Sequence, residues 1–153
     1  MAETHARRVL AFAQEINKPF PLIASLTALA YSARQLGALA AASHWLEQAF
    51  AHCRWPGVTH VNQLAAVYLE RGNLAVAEGD WPAARQYFSA ALGAAGCIAA
   101  ETQEAQAGLA MVAWAEQDRA TARRLLTAVI EHPATSAAVR RQAQDWLQTV
   151  RGR

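Results

Sequence analysis

Residues 79–92 read GDWPAARQYFSAAL, and the pattern of this stretch occurs three times in the chain. After the turn residue Gly79, a small residue follows at position 84, a large apolar residue at 88 and an apolar pair at 91 and 92. The same offsets begin at Gly37, which lies 42 residues earlier, and at Gln117, which lies 38 residues later. An internal repeat of this length predicts a helical solenoid, in which each repeat is one helix pair.

The small and large positions of the pattern indicate how the helices of a pair pack. A small side chain at a helix crossing lets the two backbones approach to roughly 8–10 Å, and a large apolar neighbour then fills the space beside the crossing. The small positions are Ala42, Ala84 and Ala122, and the large ones are Leu46, Phe88 and Leu126. On the preceding helices the matching small positions are Ala30, Gly72 and Ala110.

Composition favours an all-α fold in one domain. The chain has 153 residues, 54% of them hydrophobic, and 38 are alanine, the strongest helix former. Prolines and glycines divide the chain into helix-sized pieces, with the segment 18–21 expected to separate the first two helices. The predicted helices span residues 3–16, 22–36, 39–53, 59–78, 82–95, 99–116, 119–132 and 137–150. Asp80 is a predicted N-cap, and Thr135 or Ser136 is expected to cap the last helix.

The pattern resembles the tetratricopeptide repeat. The second-helix residues of that repeat are matched in full by the central copy, at Gly79, Asp80, Trp81, Ala84, Phe88, Ala91 and Leu92, and its first-helix residues by Tyr68 and Gly72. The outer copies depart from it, since Ala38 and Gln117 replace an aspartate and a glycine. The resemblance implies a right-handed superhelix of helical hairpins, with repeats at about 23–56, 65–98 and 103–136.

A narrower resemblance concerns the long period and the run 107–110 followed by Trp114, Glu116 and Asp118. These are similar to the degenerate C-terminal repeats of bacterial multidomain signal-transduction ATPases and maltose-type transcription activators. The resemblance implies a cytoplasmic fragment of a larger bacterial regulator, with an orphan helix at 3–16 and a polar capping helix at 137–150. Because the orphan helix lacks its pair, self-association through this N-terminal open end is also expected.

In tetratricopeptide arrays the first helices line a concave groove. The register above places eight exposed groove positions here: Thr27, Tyr31, Arg34, Leu69, Glu70, Asn73, Glu104 and Met111. One hypothesis is a scaffold that binds a protein or peptide partner through these residues. The other is a sensor arm of a signalling ATPase or transcription activator that binds a small-molecule effector or peptide. The alternative for each residue is ordinary packing within the groove wall.

Other classes of function find little support in the residues. The net charge of +2 is too weak to indicate direct nucleic-acid binding, and no apolar run is long enough to span a membrane. No catalytic or cofactor motif occurs, so neither enzyme activity nor a cofactor is expected. His52, Cys53 and His60 lack a zinc spacing, and Cys53 and Cys97 are expected to stay unpaired. The pairs Arg123-Arg124 and Arg140-Arg141 are expected on solvated helix faces.

Overall fold

The structure is a computed structural model, and it describes residues 4, 7, 8, 10, 11, 15, 19–54, 61–94 and 98–151. Throughout these residues every regular element is an α-helix, which confirms the predicted all-α class. Seven helices have defined bounds: α1 Pro19–Gln35, α2 Leu39–Cys53, α3 Val61–Glu78, α4 Trp81–Gly93, α5 Ala99–Ala115, α6 Arg119–Glu131 and α7 Ala137–Arg151. The described positions between 4 and 15 are helical as well. None of the helices with defined bounds is both long and apolar enough to cross a membrane.

Three turns of the same geometry join α1 to α2, α3 to α4 and α5 to α6. Gly37, Gly79 and Gln117 all have left-handed backbone, with φ of 75°, 75° and 66°. The residue after each of them donates its N–H to a carbonyl five residues back at 2.9 Å, the closing bond of a Schellman motif. The repeated sequence pattern therefore corresponds to a repeated local structure, even where glutamine replaces the glycine.

Side-chain caps follow two of these turns and precede the last helix. Asp80 accepts a hydrogen bond from the N–H of Ala83, and Asp118 accepts one from the N–H of Thr121, each at 3.0 Å. The prediction that Asp80 is an N-cap is therefore confirmed. Of the two residues proposed to cap α7, Ser136 does so, since its Oγ accepts from the N–H of Val139 at 3.3 Å. Each cap satisfies one backbone donor that the first helical turn leaves unpaired.

The helices form two layers. Each helix packs on the next one in sequence, and α1, α3, α5 and α7 also contact one another in that order. We call these four the inner helices. The others, α2, α4 and α6, make no contact with one another within the described part of the chain, and we call them the outer helices. One layer is therefore continuous from α1 to α7, while the other consists of separate helices laid against it.

The crossing positions predicted from the pattern lie deep in the core. Ala42, Ala84 and Ala122 are fully buried, and beside them Leu46, Phe88 and Leu126 are at most 2% exposed. Full burial of a methyl group at each crossing is what close helix packing requires. All of them except Ala122 belong to three apolar clusters that follow each other along the chain.

The structure differs from the sequence-based predictions at two places. The segment 18–21 was expected to separate two helices, yet α1 begins at Pro19, and Pro21 also lies in its first turn. Proline is tolerated there because the first N–H groups of a helix have no carbonyl partner to lose.

Arg140 was expected on a solvated face. Instead it is partly buried and donates to the carbonyls of His132 and Thr135, which ties the turn between α6 and α7.

Candidate functional site

One stripe of side chains from each of the inner helices α1, α3 and α5 faces a common groove. Within each helix the stripe positions recur every three or four residues, which is the spacing of a single helix face. The stripes are residues 24, 27, 31 and 34 on α1, residues 63, 66, 70 and 73 on α3, and residues 101, 104, 108 and 111 on α5. The continuous contact between the inner helices brings the three stripes side by side.

The groove consists of two adjoining cavities of about 400 and 390 Å³, which share Tyr31 and Glu104 in their walls. The first lies between α1, α3 and the start of α5, and the second lies between the end of α1, α3, α5 and the start of α7. All eight predicted groove residues line one or both cavities: Thr27, Leu69 and Glu70 the first, Arg34, Asn73 and Met111 the second, and Tyr31 and Glu104 both. The structure thus brings the predicted residues together, including Tyr31, Asn73 and Met111 in the wall of one cavity.

Of the eight positions predicted to be exposed, only Tyr31 is; five are half-buried, and two differ most from the prediction. Leu69 and Glu70 were expected to be exposed, but they are buried, at 4% and 6%. Leu69 packs into the apolar cluster around Phe88, and Glu70 is covered because it forms an ion pair with Arg34. Tyr31, in contrast, is 52% exposed, so a large aromatic surface is open at the point where the two cavities meet.

An ion pair links α1 to α3 in the groove wall. The Arg34 guanidinium donates from Nε to Oε1 of Glu70 at 2.6 Å and from Nη2 to Oε2 at 3.3 Å. The same guanidinium lies 5.4 Å from the centroid of the Tyr31 ring. A two-point contact of this kind fixes both planes, so Arg34 is held in place by a carboxylate and an aromatic ring. The positive charge of Arg34 is therefore largely neutralised by Glu70.

Glu104 is a groove residue whose ionised form is disfavoured by its surroundings. Burial raises the pKa of its carboxyl, and the neighbouring carboxylates of Glu70 and Glu101 raise it further, while a hydrogen bond from Asn73 and the charge of Arg34 oppose the shift. Desolvation is the largest cause, and like charges act in the same direction. The groove therefore holds a carboxylate at a position that disfavours its ionised form, which is a common property of functional sites.

Gln63 is a groove residue that the sequence analysis did not identify. It is only 9% exposed, and its amide nitrogen donates to the backbone carbonyl of Phe20 at 3.1 Å. Its Oε1 is buried without a hydrogen-bond partner among the described residues. A buried unpaired acceptor is unusual in a folded protein. The available signal was its spacing: Gln63 lies seven residues before Glu70 on the same helix face.

Two observations concern metal-binding and nucleophilic side chains in the described part of the chain. No three histidine, cysteine or acidic side chains of those ranges gather closely enough to hold a metal ion. Cys53 is a free thiol whose pKa burial raises to about 11, so little of it is thiolate near neutral pH. His60, Trp55 and Cys97 lie outside the described residues.

No family model, curated protein or solved structure shows a significant match to the chain.

Proposed function

We propose that this chain is a tetratricopeptide-like interaction scaffold, whose groove between the inner helices holds a segment of a protein partner. The observation that supports this most directly is the gathering of all eight predicted groove residues along two adjoining cavities. Residues from three or four helices face the same groove, so an extended ligand could contact several of them at once. An extended segment across such a surface is one of the recurring modes of peptide recognition.

A second part of the proposal concerns the larger protein to which this domain would belong. A groove that binds a partner suits a module that recognises a protein on which another domain of the same polypeptide acts. We therefore propose the C-terminal repeat arm of a larger bacterial signalling or regulatory protein, with a right-handed superhelical arrangement of its hairpins. The residues that carry this are those of the repeat pattern, above all the stretch 79–92.

The second candidate is a sensor arm that binds a small molecule. A specific observation favours it: each cavity, at about 400 Å³, lies within the size range of small-ligand pockets, roughly 300–1,000 Å³. The buried Gln63 and the half-buried Glu104, beside the apolar wall, supply the few polar groups that such a pocket uses for orientation. The two candidates use the same groove and differ in the nature of the ligand.

Site-specific photo-crosslinking separates them. p-Benzoylphenylalanine in place of Tyr31 puts a crosslinker on an exposed aromatic position in the groove, and in place of Gln86 on an exposed position of the outer helix α4. Crosslinking is done in cells that make the natural full-length protein. A protein partner captured from position 31 and not from 86 supports the scaffold. Capture from position 86 alone would contradict a groove mode, and a small molecule retained in native mass spectrometry, without protein capture, favours the sensor.

A further inference from the structure

Most of the polar groups that line the first cavity are hydrogen-bond acceptors. Oε1 of Gln63 is buried, and no described residue forms a hydrogen bond with it. The hydroxyl of Thr27 donates its hydrogen to the carbonyl of Ile23 at 2.8 Å, which leaves only lone pairs toward the cavity. The carboxylates of Glu101 and Glu104 accept only. Apart from the Tyr31 hydroxyl, which can do both, this lining offers acceptors to a ligand and scarcely any donors.

The charges around this cavity also favour a ligand that carries hydrogen-bond donors, because they are mostly negative. Three carboxylates, those of Glu70, Glu101 and Glu104, line it, and the one guanidinium beside them, Arg34, is already paired with Glu70. Among the described residues, no ion pair joins Glu101 or Glu104 to a basic side chain. The chain as a whole has a net charge of +2, so the acidic character is local to the groove.

The rest of the lining is apolar. Ala24, Ala28 and Ala66 line the cavity together with Ile23 and Leu69. Small and aliphatic side chains of this kind suit the methylene stem of a long basic side chain, which buries its carbon atoms and keeps its charged head among polar groups. The exposed ring of Tyr31 at the rim adds an aromatic surface, to which cations are attracted.

We propose that the first cavity recognises a lysine or arginine side chain of an extended partner peptide, with its stem over the alanines and its donors on Gln63, Glu101 and Glu104. This rests on the proposed scaffold function and names its ligand chemistry. An ammonium or guanidinium group has only donors, and it would meet the carboxylates of Glu101 and Glu104, which form no ion pair within the described residues, with the unpaired oxygen of Gln63 beside them. It would also relieve the repulsion that Glu70 and Glu101 exert on Glu104.

The test uses a set of N-acetylated, C-amidated peptides that differ at one central residue. The common sequence is Gly-Ser-Ala-Leu-X-Leu-Ala-Ser-Gly, with lysine, arginine, norleucine or glutamate at X. Norleucine keeps the stem of lysine and removes its charge. Binding to the full chain is measured by isothermal titration calorimetry at neutral pH and low salt. We expect the lysine and arginine peptides to bind about tenfold or more tightly than the norleucine peptide.

Matched variants then assign the preference to the cavity. Glu104→Gln and Glu101→Gln keep the side-chain shape, and glutamine at 101 can still serve the capping contact that Glu101 Oε2 makes with the N–H of Ile98. Both should bring the lysine-to-norleucine ratio toward one. Glu131→Gln removes an exposed carboxylate at the end of α6 and should leave the ratio unchanged. A ratio reduced equally by all three variants would mean a long-range charge effect and would overturn the proposed contact.

The remaining outcomes separate this inference from the function on which it rests. If norleucine and glutamate peptides bind as tightly as the lysine peptide, and Tyr31→Ala weakens all of them, the scaffold stands and the basic specificity is wrong. If none of the peptides binds at millimolar concentration, both the peptide groove and its specificity are overturned. Tighter binding of free n-hexylamine than of the lysine peptide would overturn the peptide ligand and assign the cavity to a small amine.

Discussion

The ring of Phe88 occupies the space where a side chain at Gly72 would lie: a Cβ built on Gly72 falls 2.6 Å from Cε1 of that ring. Gly108 on the neighbouring inner helix meets the same ring, so a fully buried aromatic side chain of an outer helix is wedged between two glycines. Because neither inner helix carries a side chain at the contact, the ring reaches the backbones of both.

Gly72→Ala should therefore destabilise the protein. The added methyl group would overlap an aromatic ring enclosed by buried neighbours, and overpacking of this kind costs about 1–3 kcal/mol. Gly93→Ala is the control, since a Cβ at Gly93 meets open space and alanine is the better helix former by about 0.5–1 kcal/mol. Urea unfolding followed by circular dichroism measures both. A Gly72→Ala variant as stable as the wild type would show that the ring does not fill this space.

Gln117→Gly should stabilise the chain by roughly 1 kcal/mol, because a residue with a Cβ is strained in left-handed backbone and glycine is not. The gain is partly offset by the greater freedom of glycine in the unfolded chain. Gly79→Ala places a Cβ in the equivalent turn and should destabilise by a similar amount. Thermal unfolding of the two variants would contradict the shared turn geometry if both moved the midpoint in the same direction.

Ala84→Leu tests the helix crossing between α3 and α4. Ala84 is fully buried, so three added carbon atoms should force the pair apart at a cost of about 1–3 kcal/mol. Gln86→Leu introduces the same side chain on the exposed face of the same helix and should change the free energy of unfolding by less than about 0.5 kcal/mol. Equal denaturation midpoints for these two variants would place the crossing elsewhere.

Glu104→Gln should stabilise the protein at neutral pH. The pKa of Glu104 is raised in the folded state above its ordinary value of 4.5. Between these two values the folded chain binds more protons than the unfolded chain, so the free energy of unfolding falls as pH rises through that window. Above the window the carboxylate is a constant penalty, and an amide removes it.

The same variant should lose its advantage in acid. Well below pH 4.5 the carboxyl is protonated in both states, and wild type and Glu104→Gln should unfold at the same midpoint. The charges that face this carboxyl are Glu70 from α3, Arg34 from α1 and Glu101 from its own helix. Glu131→Gln serves as the control for the change of net charge. A stability gain that persisted unchanged into acid would show that the burial of a charge is not its cause.

Local chemistry explains why much of the fold could be predicted from sequence. Gly37, Gly79 and the two aspartates that follow the later turns act within four or five residues, so helix ends were readable to within a few positions. The burial of Ala84 followed from spacing alone, because a helix face repeats regularly. The early start of α1 at Pro19 was missed, since a proline that begins a helix and one that separates two helices look alike in sequence.

The groove was predicted as a set of positions but not as an electrostatic arrangement. Which carboxylate pairs with Arg34 depends on how α1 and α3 are placed, and Glu70 lies 36 residues away in sequence. The orphan oxygen of Gln63 depends in the same way on the backbone of Phe20. Gly108 looked like one more small residue in an alanine-rich helix, and its contact with Phe88 required the neighbouring helix. Interactions between helices that are distant in sequence lie beyond pattern analysis.

The separation of the outer helices has a consequence for the order in which the chain folds. Every helix–helix contact in the described ranges joins elements that are one or two positions apart. Only short loops must close before such contacts form, so fast folding is expected, without an obligatory starting point at either end. A destabilising substitution in α6 should unfold the C-terminal helices around it, while the backbone amides of α1 to α3 still exchange slowly. Hydrogen exchange would then reveal several opening units in this one domain.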